Sequence, residues 1–293
     1  MIRKIVKQGN NAYTITLPKK WVVDNNLENG EVRVNEVDKE LLISSLEVSS
    51  HSVKSISIVL HPDTKETYRS IIGSLYRQGY DEIRVELEDS SSSSVLEDAI
   101  STLFGLELFT ESSCVCSVRS IYSSENTSIR MHVLRILSGI EMMQHIIISE
   151  MEVGKFNSFD EIQRIRNSIL KQRDLIFRLV KKSTLDIDFV YYTITISLWG
   201  VVRNYYHLYT SLSDKDSRRV ELMKRVNEFV NESFLFVKKP SSDVLKMYSS
   251  FDSLRNELQE RLLENVVSSF GYHIVIETQL AYSSLYLLAK ESI

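Results

Sequence analysis

Cysteine, proline and glycine are all scarce in this chain of 293 residues, at two, three and nine respectively. Two cysteines cannot build a disulfide scaffold, and so little proline and glycine excludes a collagen-like chain. Long apolar runs are also missing. The longest uncharged stretches, Phe189 to Val202 (14 residues) and Asn265 to Ile276 (12 residues), fall short of the ~18 to 20 residues a membrane helix needs. They read as buried bundle helices. The start, Met1-Ile2-Arg3-Lys4, runs on to Lys7 and Gln8 with no apolar stretch, so no secretion signal is visible and the cytoplasm is the expected compartment. No Gly-rich phosphate loop, nucleophile elbow, HExxH or paired CxxC occurs in the sequence, and no enzyme is expected.

What is present is ample apolar material, 43% of positions, over a length that favours two or three domains. The net charge of -4 is unevenly spread. Residues 1 to 50 hold seven basic and seven acidic side chains, residues 51 to 122 hold six against eleven, and the remainder 22 against 21. Within the first segment, Arg3, Lys4, Lys7, Lys19 and Lys20 all precede the first acid, Asp24. A positive patch this concentrated suits a phosphate backbone, so a generally acidic protein can still carry a DNA-reading end.

Periodicity divides the chain into three regions. In residues 1 to 50, Tyr13, Ile15 and Leu17 alternate with Ala12, Thr14 and Thr16 behind the turn cluster Gly9-Asn10-Asn11, which predicts a hairpin. Pro18 suits a helix start, Lys19 to Asn26 supply about two turns, and strands follow around Val32 to Val34 and Leu41 to Ile43. So short a unit offers little core and is expected to need a second copy. Residues 53 to 122 read as a small α+β domain. It contains a strand at Ser55 to Leu60, a helix at Pro62 to Tyr76, a strand at Glu82 to Leu87, a helix at Val95 to Leu103, and strands near Leu106 to Phe109 and Cys114 to Val118. From Glu125 onward one proline and four glycines remain, so residues 125 to 293 are helical almost by elimination. Breaks at Gly154 to Ser158, Ser183 to Asp186, Ser211 to Asp216, Lys239 to Ser242 and about Ser268 to Gly271 predict six antiparallel helices in two sets of three.

The runs Arg3-Lys4-Ile5-Val6-Lys7-Gln8-Gly9, Tyr13-Thr14-Ile15-Thr16-Leu17-Pro18-Lys19-Lys20-Trp21-Val22 and Leu27-Glu28-Asn29-Gly30-Glu31-Val32 resemble the AbrB/SpoVT swapped-hairpin DNA-binding domain. That resemblance implies a homodimer in which two chains intertwine into a barrel-like unit, with Arg3, Lys4, Lys7, Lys19 and Lys20 on DNA. Where bacterial members often carry an arginine after the hairpin turn, this chain has Asn10-Asn11-Ala12. The order and length of the six helices resemble the PhoU family, and the whole arrangement resembles the archaeal PhoU-type phosphate uptake regulators. The implied function is a transcriptional regulator whose bundle senses phosphate status or docks a transporter or signalling protein. The alternative is an adaptor that uses its hairpins only to dimerise.

Metal chemistry is weakly supported by the residues. PhoU-type bundles repeat paired carboxylates four apart, which places both on one helix face as oxygen ligands. Here Arg203 stands at an expected acid in the third helix, Arg166 and Leu170 stand near the expected pair in the second, and Asp252 is followed four later by Asn256. No cofactor is therefore expected, with a divalent-metal bundle as the lesser reading. His145 with Glu141, and His273 with Glu277, are each half a site at most. Glu277, the only formal charge between Glu264 and Lys290, needs a partner if buried. Cys114 and Cys116 would share a strand face, but two thiols cannot fill a zinc shell. Tyr191-Tyr192 and Tyr205-Tyr206 with His207 suit helix packing or ring stacking. Glu257 and Arg261 read as an i,i+4 pair.

Overall fold

The computed structural model describes residues 3–8, 12–24, 27, 30–37, 40–45, 53–89, 92–121, 128–183, 186–213, 216–238 and 248–291. Two units emerge, Met1–Lys54 and Ser55–Ile293. In the first, β1 (Val6–Gln8) pairs antiparallel with β2 (Ala12–Thr14), with Lys7 opposite Tyr13. The short helix α1 (Lys19–Asp24) follows Pro18, whose carbonyl accepts from the Val22 N–H at 3.1 Å. A second hairpin joins β3 (Val32–Val37) to β4 (Glu40–Ser45), with Val32 opposite Ser45 and Val37 opposite Glu40. The expected strands form, but β2 stops at Thr14 and leaves Ile15 and Leu17 outside it. The strands pair as two separate two-stranded ladders, and no closed barrel forms among the described residues.

The second unit begins with a four-stranded sheet of order β5-β6-β8-β7. Strand β5 (Ser55–Leu60) runs parallel to β6 (Glu82–Leu87), and β8 (Val115–Ser120) lies antiparallel between β6 and β7 (Leu106–Ser112). The expected β-α-β opening is present. Its helix, however, starts as a 3-10 segment (Pro62–Thr67) that is non-helical at Thr64, and α2 covers only Tyr68–Arg77. Helix α3 (Ser93–Ser101) crosses next. Strand alternation sends Ile83, Val85, Cys116 and Val118 to the face that buries Tyr68, Ile72, Tyr76, Leu96 and Ile100. The opposite face is charged and solvated, with Arg84–Glu111 at 3.1 Å and Arg119–Glu82 at 2.9 Å. Cys116 is buried in β8, whereas Cys114 lies in the β7–β8 turn, so the two thiols do not share a strand face.

Among the described residues six α-helices complete the unit: α4 (Ile129–Val153), α5 (Phe159–Lys182), α6 (Asp186–Ser211), α7 (Val220–Lys238), α8 (Tyr248–Glu260) and α9 (Val266–Glu291). Their apolar stripes meet in one core that includes Ile136, Ile140, Ile176, Leu198, Val201, Val230 and Ile274. The expected last break at Ser268 to Gly271 is corrected: those residues lie inside α9, which starts at Val266 behind Asn265. The Asn265 side chain accepts from the Ser268 N–H at 2.8 Å, an N-cap bond that sets the start. Gly271 is a packing position, since a Cβ there would meet Leu258 and Val226 at 3.4 Å. Helix α8 is accordingly shorter than the others, at 13 residues.

The sheet and the bundle are stitched at α2 and α5. Arg178 of α5 is buried at 3% exposure and donates through Nη1 to the carbonyls of Tyr76 (3.1 Å) and Tyr80 (2.6 Å). Its Nη2 reaches Asp81 Oδ1 at 2.5 Å, where Lys182 also donates. Burial lowers the arginine's proton affinity and the Asp81 charge opposes that, so the cation is retained where it satisfies three acceptors.

Candidate functional site

The five basic residues singled out from the sequence all fall in the first unit. Arg3 and Lys4 precede β1, Lys7 sits within it, and Lys19 and Lys20 open α1; all five are exposed. None makes an ion pair among the described residues. The same unit leaves apolar side chains in water: Tyr13 is 70% exposed, Leu41 66%, Ile5 69% and Val6 60%. None of its described side chains is buried.

In the bundle, the positions expected to carry metal ligands carry something else. Arg166 of α5 lies over the rings of Tyr206 (4.7 Å) and Trp199 (5.4 Å), both on α6. Arg173 lies over Trp199 (4.6 Å) and Phe177 (5.7 Å). The ladder ends in rings alone, with Phe159 against Tyr206 at 6.1 Å and Phe177 against Tyr192 at 4.6 Å. Its sequence basis is a spacing of seven on two helices, Phe159, Arg166 and Arg173 on α5 and Tyr192, Trp199 and Tyr206 on α6. Cation–π contacts of this kind contribute about 0.5 to 2 kcal/mol each. Asp174, buried at the ladder's end, accepts from Arg173 at 2.6 Å and from Arg77 of α2 at 3.4 Å. A spacing-of-seven scan for rings and arginines together would have found this stripe.

Arg203 faces α9, where it and His273 act to lower the affinity of Glu277 for its proton; burial outweighs them and raises it. The Glu277 carboxylate rests on Gly200, where a Cβ would meet its Cδ at 2.3 Å. His145 and Glu141 line a groove between α4 and α7 with Glu152 and Asn227. Beneath it Gln144 donates to the Tyr205 hydroxyl at 2.9 Å, which donates to Asn227 at 2.8 Å. Among the described residues no group of three or more His, Cys, Asp or Glu side chains is placed to hold a metal ion. Glu257 takes Arg225 of α7 in a two-pronged contact at 3.0 and 2.7 Å, closer than Arg261 at 3.8 Å. Asp252 pairs with Arg255 at 2.9 Å.

Two polar groups hold structural places that sequence spacing does not show. His132 on α4 is buried with Nδ1 2.6 Å from Gln172 Oε1, and burial lowers its proton affinity. Glu150 anchors the α4–α5 connection, accepting from Ser158 Oγ (2.7 Å), the Tyr209 hydroxyl (2.6 Å) and the Asn157 N–H (3.1 Å). The Tyr209 hydroxyl in turn accepts from the Ser158 N–H at 2.7 Å.

A family model described as a protein of unknown function, DUF655, matches residues 115–195, from β8 through α4 and α5 into α6. That is under a third of the chain and includes one side of the aromatic ladder. No curated protein and no solved structure matches. Among the described residues no helix is long and apolar enough to cross a membrane.

Proposed function

We propose that this protein is a homodimeric DNA-binding regulator whose helical domain serves as the sensor or docking part. The observation that carries the reading is the first unit, where five exposed cations that make no ion pair among the described residues share 54 residues with uncovered apolar side chains. The cations meet phosphates, and a second copy covers the apolar groups. Binding then rests on electrostatic positioning, with the hairpins fixing where the cations stand. The link to phosphate uptake is supported only by the resemblance of helix order and length to PhoU-type bundles.

Fluorescence anisotropy of the full-length protein with duplex DNA from its own upstream region, and with a scrambled duplex, tests this at two salt concentrations. Salt-sensitive binding with preference for the upstream duplex is expected. Lys19→Ala with Lys20→Ala should weaken both duplexes alike and flatten the dependence of log K on log salt by about 1 to 2. An intact dimer that ignores both duplexes at low salt rejects the reading and leaves the adaptor.

A further inference from the structure

Where the sheet domain meets the bundle, α2, the end of α5 and the start of α6 enclose an open cavity of about 700 Å³, lined by Ser74, Arg77, Phe177, Lys181, Phe189 and Tyr192 among others. We infer that this cavity binds a nucleoside monophosphate, with the base against its ring wall and the phosphate between Arg77 and Lys181.

The ring wall is built in depth. Phe177 and Tyr192 have centroids 4.6 Å apart, and Phe189 lies nearly parallel to Tyr192 at 5.7 Å with an interplanar angle of 20°. Phe177 is held from behind by the Arg173 guanidinium, the last rung of the ladder. Phe189 remains 61% exposed, so the stack ends in an open face rather than a filled core. A flat heteroaromatic ring extends such a stack, and base-on-ring contacts tolerate any base.

The polar side of the cavity has one sign. Its lining contains two charged residues, Arg77 and Lys181, both cationic. Arg77 is aimed by its 3.4 Å contact to Asp174, an oxygen already taken at 2.6 Å by Arg173, so most of its fork remains for another acceptor. Lys181 makes no ion pair among the described residues, whereas its neighbour Lys182 is committed to Asp81. The nearby acid Asp188 is occupied by the Ser183 hydroxyl. Two cations match a phosphomonoester, which carries a charge of about −1.5 to −2 near neutral pH. The volume lies within the ~300 to 1,000 Å³ of small-molecule clefts. A diphosphate or triphosphate would exceed the charge available.

Calorimetric titration of the full-length protein with AMP and UMP, and separately with adenosine and inorganic phosphate, decides the matter. Both nucleotides should bind with Kd of about 10 to 100 μM, and adenosine and phosphate at least about tenfold more weakly. Lys181→Glu and Phe189→Ala, both at exposed positions, should each weaken AMP about tenfold without changing the melting temperature. Replacing Lys19 and Lys20 by Ala should leave AMP binding unchanged, which separates the cavity from the cations of the first unit. The inference is overturned by no nucleotide binding up to ~2 mM, by phosphate binding as tightly as AMP, or by AMP binding that both cavity variants leave intact.

Discussion

Glu150 shows how a single carboxylate can tie a helix junction together. Burial pushes its proton affinity up, but hydrogen bonds from Tyr209, Ser158 and the Asn157 and Ser158 backbone together bring it below the ordinary carboxylate value. A carboxylate lowered in the folded state contributes stability above its unfolded pKa, and that contribution disappears as pH falls through the folded one. Glu150→Gln should therefore cost about 1 to 2 kcal/mol at pH 7. The gap from wild type should close as urea titrations are repeated below about pH 4.3. A constant gap across pH would mean that the charge is irrelevant. Glu150 was not legible in the sequence because its partners, Tyr209 and Ser158, are brought to it by the fold. Glu277 was legible, since a lone charge in an apolar helix demands a partner. Its seat against Gly200 follows from the α6–α9 packing.

Among the elements, the strands and helices follow from alternation and from helix punctuation. The start of α9 was missed because Ser268, Ser269 and Gly271 read as a break, while Asn265, a strong N-cap, gave the true boundary. The two tyrosine pairs were visible in sequence, yet only Tyr192 and Tyr206 join the ladder. Tyr205 faces the core and bonds Gln144 and Asn227. Between elements, Arg178 is the most consequential side chain. Arg178→Met leaves the Tyr76 and Tyr80 carbonyls without their guanidinium and should cost about 3 kcal/mol. Hydrogen exchange should show β6 and α2 losing protection before α6 and α9. Uniform loss across the unit would mean that sheet and bundle unfold as one regardless of this contact. Arg178→Lys, which keeps the charge but loses the fork, should recover only part of the loss.

At the scale of the molecule, the two units differ in how much they bury. Every buried side chain among the described residues lies in residues 55–293. The larger unit, expressed as residues 55–293, should fold alone with the melting transition it has in the full chain. Under the dimeric reading it should sediment as a monomer, and the full-length protein as a dimer. A dimer that survives the deletion would move the subunit contact to the bundle and remove the support that the uncovered apolar residues of the first unit give to the proposed function. That the first unit offers little core was readable from its length. The close joining of sheet and bundle was not, because it depends on Arg178 reaching two backbone carbonyls.

The ladder on α5 and α6 has an optical consequence. The chain has two tryptophans, Trp21 on α1 and Trp199 between the guanidiniums of Arg166 and Arg173. Each unit therefore carries its own intrinsic fluorophore. With Trp21→Phe the emission follows the bundle, with Trp199→Phe it follows the hairpins, and the melting of either unit can be recorded in the intact protein without a label.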